Sequence, residues 1–167
     1  MANQDPQPEI YSTNHDFAAT AAAGTTNQQT IFTNQANNEE VRIYAVSVEI
    51  LDTSGAAASA TDNIDFSIAI QVGPNNVPSN KFDVGWVHTN IANGGQPLAF
   101  PTPILALFQQ PLAVTVEVET TLVGGSETRT VNVNLIGELA IQKVACHTCG
   151  FDHPINKRCP QCGGRQL

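Results

Sequence analysis

The chain has 167 residues, of which only 13% are charged, and its net charge at neutral pH is −8. The charge is divided unevenly along the sequence. Residues 1–142 carry three Lys or Arg against fourteen Asp or Glu, whereas residues 143–167 carry four against one. Because phosphate binding requires clustered Lys and Arg, this balance argues against nucleic acid as the partner of the larger part.

The N-terminal region, residues 1–40, is rich in Asn, Gln, Thr and Ala and sparse in apolar residues. Its first ten residues are polar and acidic, with neither the basic start nor the apolar run of a secretory signal. Such a segment buries too little apolar surface to become ordered alone. We therefore expect residues 1–40 to form an extended polar arm held by neighbouring subunits. Its candidate partner contacts are Phe17, Ile31 and Phe32.

Residues 41–142 show the two-residue period of β-strands. Apolar and polar residues alternate over 64–72 and over 112–118, which predicts two half-buried strands. Residues 41–51 are apolar on both faces, as expected of a strand covered on both sides. Two further strands are predicted at 82–88 and 128–141, with a bulge or bend at Gly137. Clusters of turn-forming residues separate these runs, so we predict an antiparallel β-sandwich of jelly-roll or Greek-key type over 41–142.

A proline-containing apolar segment, residues 98–108, interrupts this pattern. Pro101 and Pro103 have no N–H to donate to a sheet, so the segment is predicted to be an edge or a crossing stretch. Two interpretations stay open, an internal lid over the sandwich and a hydrophobic contact with another subunit. The second would add Phe100, Pro101, Pro103 and Phe108 to the partner contacts.

All four cysteines lie near the C-terminus, as Cys146-x-x-Cys149 and Cys159-x-x-Cys162. This spacing is typical of a tetrahedral metal site with four thiolate ligands. Zinc is favoured over iron and over a pair of disulfides. With four cysteines available, His147 and His153 are expected to be exposed loop residues rather than ligands. A module this small needs the metal for its stability.

The two cysteine motifs, each followed by a glycine, resemble the zinc ribbon and rubredoxin-type knuckle family. The resemblance covers residues 146–164 and implies that all four cysteines bind one structural zinc ion. It also implies that Gly150 and Gly163 have positive φ, which lets backbone amides turn toward the sulfurs. The loop between the knuckles is short for an electron-transferring rubredoxin and lacks its aromatic cluster, which favours zinc. The module is assigned to residues 143–167.

The order of features along residues 30–141 resembles small β-sandwich virion proteins of tailed bacteriophages. The polar N-terminal stretch, the Gly-Gly-Gln and Pro-x-Pro segment at 94–103 and the run Val131–Gly137 carry this likeness. It implies a capsid decoration, cement or minor structural protein that clamps capsid or other virion subunits. It also implies a homo-oligomer located in the virion and assembled in the host cytoplasm, with no membrane partner.

We find no catalytic constellation in the sequence. No Gly-x-Ser-x-Gly motif accompanies His88, and Glu117 and Glu119 are predicted to be solvating acids on one face of a strand. We therefore expect a non-enzymatic structural assembly protein. The alternative is a binding module whose basic ribbon, with Lys157, Arg158 and Arg165, contacts nucleic acid or a protein partner. A third possibility is that this ribbon docks on the acidic body of the same or a neighbouring subunit.

Overall fold

The computed structural model describes residues 7–33, 39–52, 56, 65–84, 97–107, 109–122, 129–141, 143–154 and 157–163. Eleven β-strands lie within these ranges. They are β1 (Gln7–Phe17), β2 (Thr26–Thr33), β3 (Glu39–Leu51), β4 (Phe66–Val72), β5 (Asn75–Asn76), β6 (Phe82–Asp83), β7 (Leu98–Ala106), β8 (Pro111–Val118), β9 (Arg129–Ile141), β10 (Lys143–Ala145) and β11 (Asp152–Pro154). The prediction of an all-β antiparallel fold that ends in a four-cysteine module is confirmed.

The first nine strands form two antiparallel sheets. The first sheet has the order β1-β9-β3-β7, and the second has the order β2-β8-β4-β5, with β6 also paired to β4. Strands that follow each other in the chain mostly belong to opposite sheets, since β1, β3, β7 and β9 build the first and β2, β4 and β8 the second. The alternation brings the apolar faces of both sheets together.

A core of mostly aliphatic side chains fills the space between the sheets. On β8, Leu112, Val114, Val116 and Val118 are fully buried, as the two-residue period predicts. On β4, Ile68 and Ile70 are equally buried. Each such side chain stabilises the fold by about 1.5–3 kcal/mol relative to exposure. The strands predicted at 64–72 and 112–118 are thus confirmed with small shifts in their ends. The expectation that the first of them is only half-buried was wrong, because Ser67 and Ala69 on its other face are buried too.

Strand β3 contains a β-bulge at Tyr44. Its register with both β9 and β7 shifts between Ile43 and Ala45, so Tyr44 has no partner residue. The bulge reverses the alternation, and Val41 and Ile43 therefore face the same core as the residues after it. The expectation that β3 is covered on both sides was wrong, because the residues before and after the bulge share one buried face.

The bulge lies opposite Gly137 of β9, where the sequence predicted an irregularity. Gly137 pairs with Ile43, and a Cβ at this position would lie 2.2 Å from the carbonyl oxygen of Arg42. The prediction of a bulge is therefore correct in place, although the extra residue belongs to β3. Glycine is required here by the close approach of two backbones.

The region expected to be a polar arm differs from that expectation wherever the structure describes it. Residues 7–17 form β1, which pairs with β9, and residues 26–33 form β2, which pairs with β8. Along β1 every second side chain from Tyr11 to Phe17 faces inward. Backbone pairing with a neighbouring strand of the same chain therefore orders this polar sequence.

Strand β7 is the edge of the first sheet, as its prolines predicted. It pairs with β3 alone, and its register jumps from Ala99 to Ile104 opposite the bulge. The skipped residues include Pro101, which is exposed, and Pro103, which is half-buried. The strand predicted at 82–88 begins as β6, and its remainder from residue 85 lies outside the described residues.

Candidate metal centre

The cysteine module is built on a small hairpin-like sheet of its own. Strands β10 and β11 pair antiparallel, with Lys143 opposite Pro154 and Ala145 opposite Asp152. The first Cys-x-x-Cys turn follows β10 directly, and the second lies beyond β11. We call this module, residues 143–163 as described, the ribbon. Its sheet sets the two cysteine turns opposite each other.

The four cysteine sulfurs converge on one point. All four Sγ atoms lie within 4.8 Å of one another, with 3.4 Å between Cys146 and Cys162 and 3.5 Å between Cys149 and Cys159. Four sulfurs at about 2.3 Å from a tetrahedral zinc ion would lie about 3.8 Å apart. The cluster therefore fits a tetrahedral metal ion. The sulfurs are free thiols at distances far beyond an S–S bond of about 2.05 Å, so the structure does not contain the alternative pair of disulfides.

Backbone geometry at each turn matches the knuckle pattern. The N–H of Gly150 donates to the carbonyl of Cys146 at 2.7 Å, and the N–H of Gly163 donates to that of Cys159 at 2.8 Å. Both glycines have positive φ, 70° and 71°, as predicted. Each knuckle supplies one buried cysteine, Cys146 or Cys159, and one exposed cysteine. The two halves of the site are thus built alike.

Backbone amides polarise the cluster toward thiolate. Hydrogen bonds from the N–H groups of Thr148 and Cys149 lower the pKa of the Cys146 thiol to about 6. The N–H of Phe151 acts in the same direction on Cys149, but burial and the three neighbouring thiols outweigh it and raise the pKa of Cys149 to about 12. Four sulfurs this close cannot all hold negative charge without a cation. The donor set therefore suits a divalent metal ion, which stabilises all four thiolates together.

The two histidines of the ribbon have different environments. His147 is exposed, as predicted, but His153 on β11 is buried, which corrects the expectation that it is an exposed loop residue. Its Nδ1 lies 3.1 Å from the carbonyl oxygen of Pro154, and since a carbonyl only accepts, Nδ1 carries the proton and donates. Together with Cys146 and Cys159, His153 forms the buried part of the ribbon among the residues that the structure describes. The sequence alone had predicted a solvent-exposed side chain at this position.

The predicted partner contacts separate into buried and accessible residues. Phe17 is buried in the core and packs against Phe66 with ring centroids 5.4 Å apart, which corrects its assignment as a partner contact. Phe32 packs against Tyr11 at 5.7 Å. The other half-buried members, Ile31 and Phe100, pack against the core, Pro101 and Pro103 lie at the edge strand, and Phe108 lies outside the described residues.

A cleft of about 330 Å³ lies beside the predicted carboxylate pair on the second sheet. Lys81 forms an ion pair with Glu117 and lies 3.9 Å from Glu119, which accepts a hydrogen bond from Ser67. The hydrogen bond with Glu117 raises the pKa of Lys81 and keeps it charged. A charged lysine cannot act as a general base toward Ser67. The ion pair between Lys81 and Glu117 connects the segment before β6 to β8.

Sequence reasoning missed His15, whose ring connects the two sheets. The side chain is fully buried, with Nε2 2.9 Å from the Thr13 hydroxyl and Nδ1 3.0 Å from the backbone oxygen of Asn27 on β2. Because that oxygen only accepts, Nδ1 donates and Nε2 accepts from Thr13. Burial lowers the pKa of His15 and keeps it neutral. The alternation of Tyr11, Thr13, His15 and Phe17 with polar residues was the signal that could have placed it.

Comparison with known proteins assigns no family to the chain. A scan against models of protein families finds no match, and a search of curated proteins finds no significant relative. Within the described ranges, the structure contains no helix with the length and apolar character needed to cross a membrane.

Proposed function

We propose that this chain is a non-enzymatic structural assembly protein, of the kind that decorates or cements a virion capsid. The observation that carries the proposal is the strand order. Two facing antiparallel sheets ordered 1-9-3-7 and 2-8-4-5, built from strands that alternate between them, support a fold of jelly-roll type. Jelly rolls form many viral capsid proteins, and also lectins and cupins, so the step from fold to role is an analogy.

Two further observations support a building block. The first sheet has exposed apolar residues on its outer side, among them Ile10 and Leu105. The edge strand β7 carries Pro101 at its surface, which discourages uncontrolled strand addition while leaving side chains available. In this role the protein is present in many copies and clamps neighbouring virion subunits, where repeated weak contacts become stable by multivalency.

We propose that the four cysteines bind one structural zinc ion. Four cysteine sulfurs would fill all four positions around a tetrahedral ion, which is typical of a closed structural zinc site. The ion would stabilise a module whose described part buries only three side chains. Iron in the same site would give a red protein with visible absorption, so an absorption spectrum with elemental analysis distinguishes the two.

Native mass spectrometry of the purified full chain, followed by negative-stain electron microscopy, tests the assembly role. We expect discrete species of several chains with one zinc ion per chain and particles of regular shape. A chain that stays monomeric over the accessible concentration range would overturn the proposal.

A second candidate is a ribbon that binds nucleic acid, which the exposure of Lys143, Lys157 and Arg158 favours. It predicts a gel shift that weakens with salt and is lost when Lys157 and Arg158 become Ala. No retardation of DNA or RNA at low salt would remove it.

A further inference from the structure

The outer side of the first sheet carries an apolar row that crosses all four strands. Backbone register aligns Ile10 of β1, Ile136 of β9, Ala45 of β3 and Ala99 of β7. The neighbouring row along the strands, with Ile43 and Ile104, is buried and faces the core, so the row of Ile10 faces outward. Ile10 is 67% exposed, and Leu105, on β7 beyond the Ile43–Ile104 row, is 46% exposed. We call the outward side chains of these four strands the outer face.

Around this row the outer face is acidic. Its only described cation is Arg42, which forms ion pairs with Glu40 and Glu138. The hydroxyl of Tyr44 donates to Glu138 as well, which holds that carboxylate beside the apolar row. The outward carboxylates are those of Asp16, Glu40, Glu49 and Glu138. The outer face thus has three more negative than positive charges.

The ribbon presents the opposite combination. Phe151, next to the first knuckle, is 45% exposed. Lys143 lies opposite Pro154 in the ladder, and the backbone N–H of Lys157 donates to the carbonyl of Pro154 at 3.2 Å, so two lysines flank one point of the ribbon. Arg158 follows and is also exposed. Asp152 is the only acidic residue in the described ribbon.

We propose that the outer face binds the ribbon of a second copy of this chain, in a head-to-tail contact. Ile10 and Phe151 are both exposed in a single chain, so its own ribbon does not cover its own outer face. Two outer faces meeting each other would bring like charges together, whereas a ribbon supplies positive charge around an aromatic anchor. The proposal rests on the assembly role and names its contact.

A head-to-tail contact is heterologous, since two different surfaces meet. It leaves one outer face and one ribbon free at the ends and therefore produces closed rings or open chains. The number of chains in an open assembly increases with protein concentration, and it stops increasing when a ring closes. Because the rims carry opposite charge, association weakens as salt rises.

Two variants of the full-length, zinc-loaded chain test the contact by sedimentation velocity. The face variant combines Ile10→Ser with Leu105→Ser, and the ribbon variant combines Phe151→Ser with Lys157→Glu. All four residues are exposed, and unchanged circular dichroism with one zinc per chain verifies folding. Each variant is expected to raise the dissociation constant of self-association by about tenfold or more. Thr30→Ser, an exposed change on β2 of the second sheet, should leave it unchanged.

Mixing the two variants gives the decisive result. The ribbon variant keeps an intact outer face and the face variant keeps an intact ribbon, so an equimolar mixture should form a complex of one chain of each. A ribbon variant that self-associates like the wild type would overturn the contact, because self-association would then not require the ribbon. So would a mixture that remains monomeric.

The outcomes also separate this contact from the assembly role. If the wild type assembles but the ribbon variant assembles equally well, only the head-to-tail contact fails. If the wild type is monomeric at every concentration, the assembly role fails with it.

Discussion

Replacing Gly137 by Ala should destabilise the sandwich more than the same substitution at any other described glycine. The new Cβ would lie 2.2 Å from the carbonyl oxygen of Arg42 and 2.9 Å from Cδ1 of Ile43. The first distance is about 1 Å shorter than an ordinary van der Waals contact. Because β3 is paired on both sides, by β9 and by β7, the backbone of Arg42 cannot move away without breaking a ladder.

We expect Gly137→Ala to lower the free energy of unfolding by about 3 kcal/mol, the upper part of the range for overpacking. For a chain of this size that corresponds to a fall in melting temperature of about 6–12 °C, followed by far-ultraviolet circular dichroism. Adding Ile43→Val removes the contact with Cδ1 but leaves the carbonyl oxygen, so the double variant should stay destabilised.

Gly24→Ala is the matched control for Gly137→Ala. Gly24 has a φ of +84° and no heavy atom within 4 Å of the added Cβ, so only the backbone conformation opposes the change. That costs roughly 1–2 kcal/mol. If Gly137→Ala proves no more destabilising than Gly24→Ala, the close approach of β3 and β9 is refuted.

Three further predictions concern the metal, His15 and the core. Removing the metal with a chelator should abolish amide protection in the ribbon while the sandwich strands keep theirs, as hydrogen exchange would show; uniform loss of protection would contradict a separate ribbon. Because burial lowers the pKa of His15, the unfolded chain takes up its proton first, so stability present above about pH 6.5 is lost as pH falls toward the folded pKa. His15→Gln should flatten that part of the pH dependence in denaturant titrations, and an unchanged slope would assign it to other groups. Ile70→Ala should cost about 2–5 kcal/mol in the same titrations and the exposed Leu105→Ala under about 0.5, and similar losses would argue against the buried core.

The parts of the fold that sequence periodicity predicted are those where apolar side chains alternate strictly. Strand β8 is the clearest case, since Leu112, Val114, Val116 and Val118 occupy every second position and all four are buried. Strand β3 was placed well but its faces were not, because a bulge at Tyr44 reverses the alternation and leaves no trace in composition. Strand β1 was missed because its inward residues include Thr13 and His15, which hydrophobicity alone does not mark as buried.

The candidate metal site was predictable residue by residue, whereas the surfaces around it were not. Cys-x-x-Cys spacing acts through local backbone geometry, so Cys146 and Cys149 reach one ion regardless of the rest of the fold. The burial of His153 depends on the pairing of β11 with β10, which spacing does not reveal.

The sequence by itself determined the all-β class, the edge position of the proline segment and the four cysteines that cluster. Each follows from interactions between residues near one another in the chain: side-chain alternation, missing N–H groups and turn geometry. Only the tertiary structure decided that the polar N-terminal region becomes two strands, that Gly137 meets Arg42 and that the apolar row extends from Ile10 to Ala99. These depend on long-range register, in which a strand acquires its order and its neighbours from partners about 80 to 130 residues away.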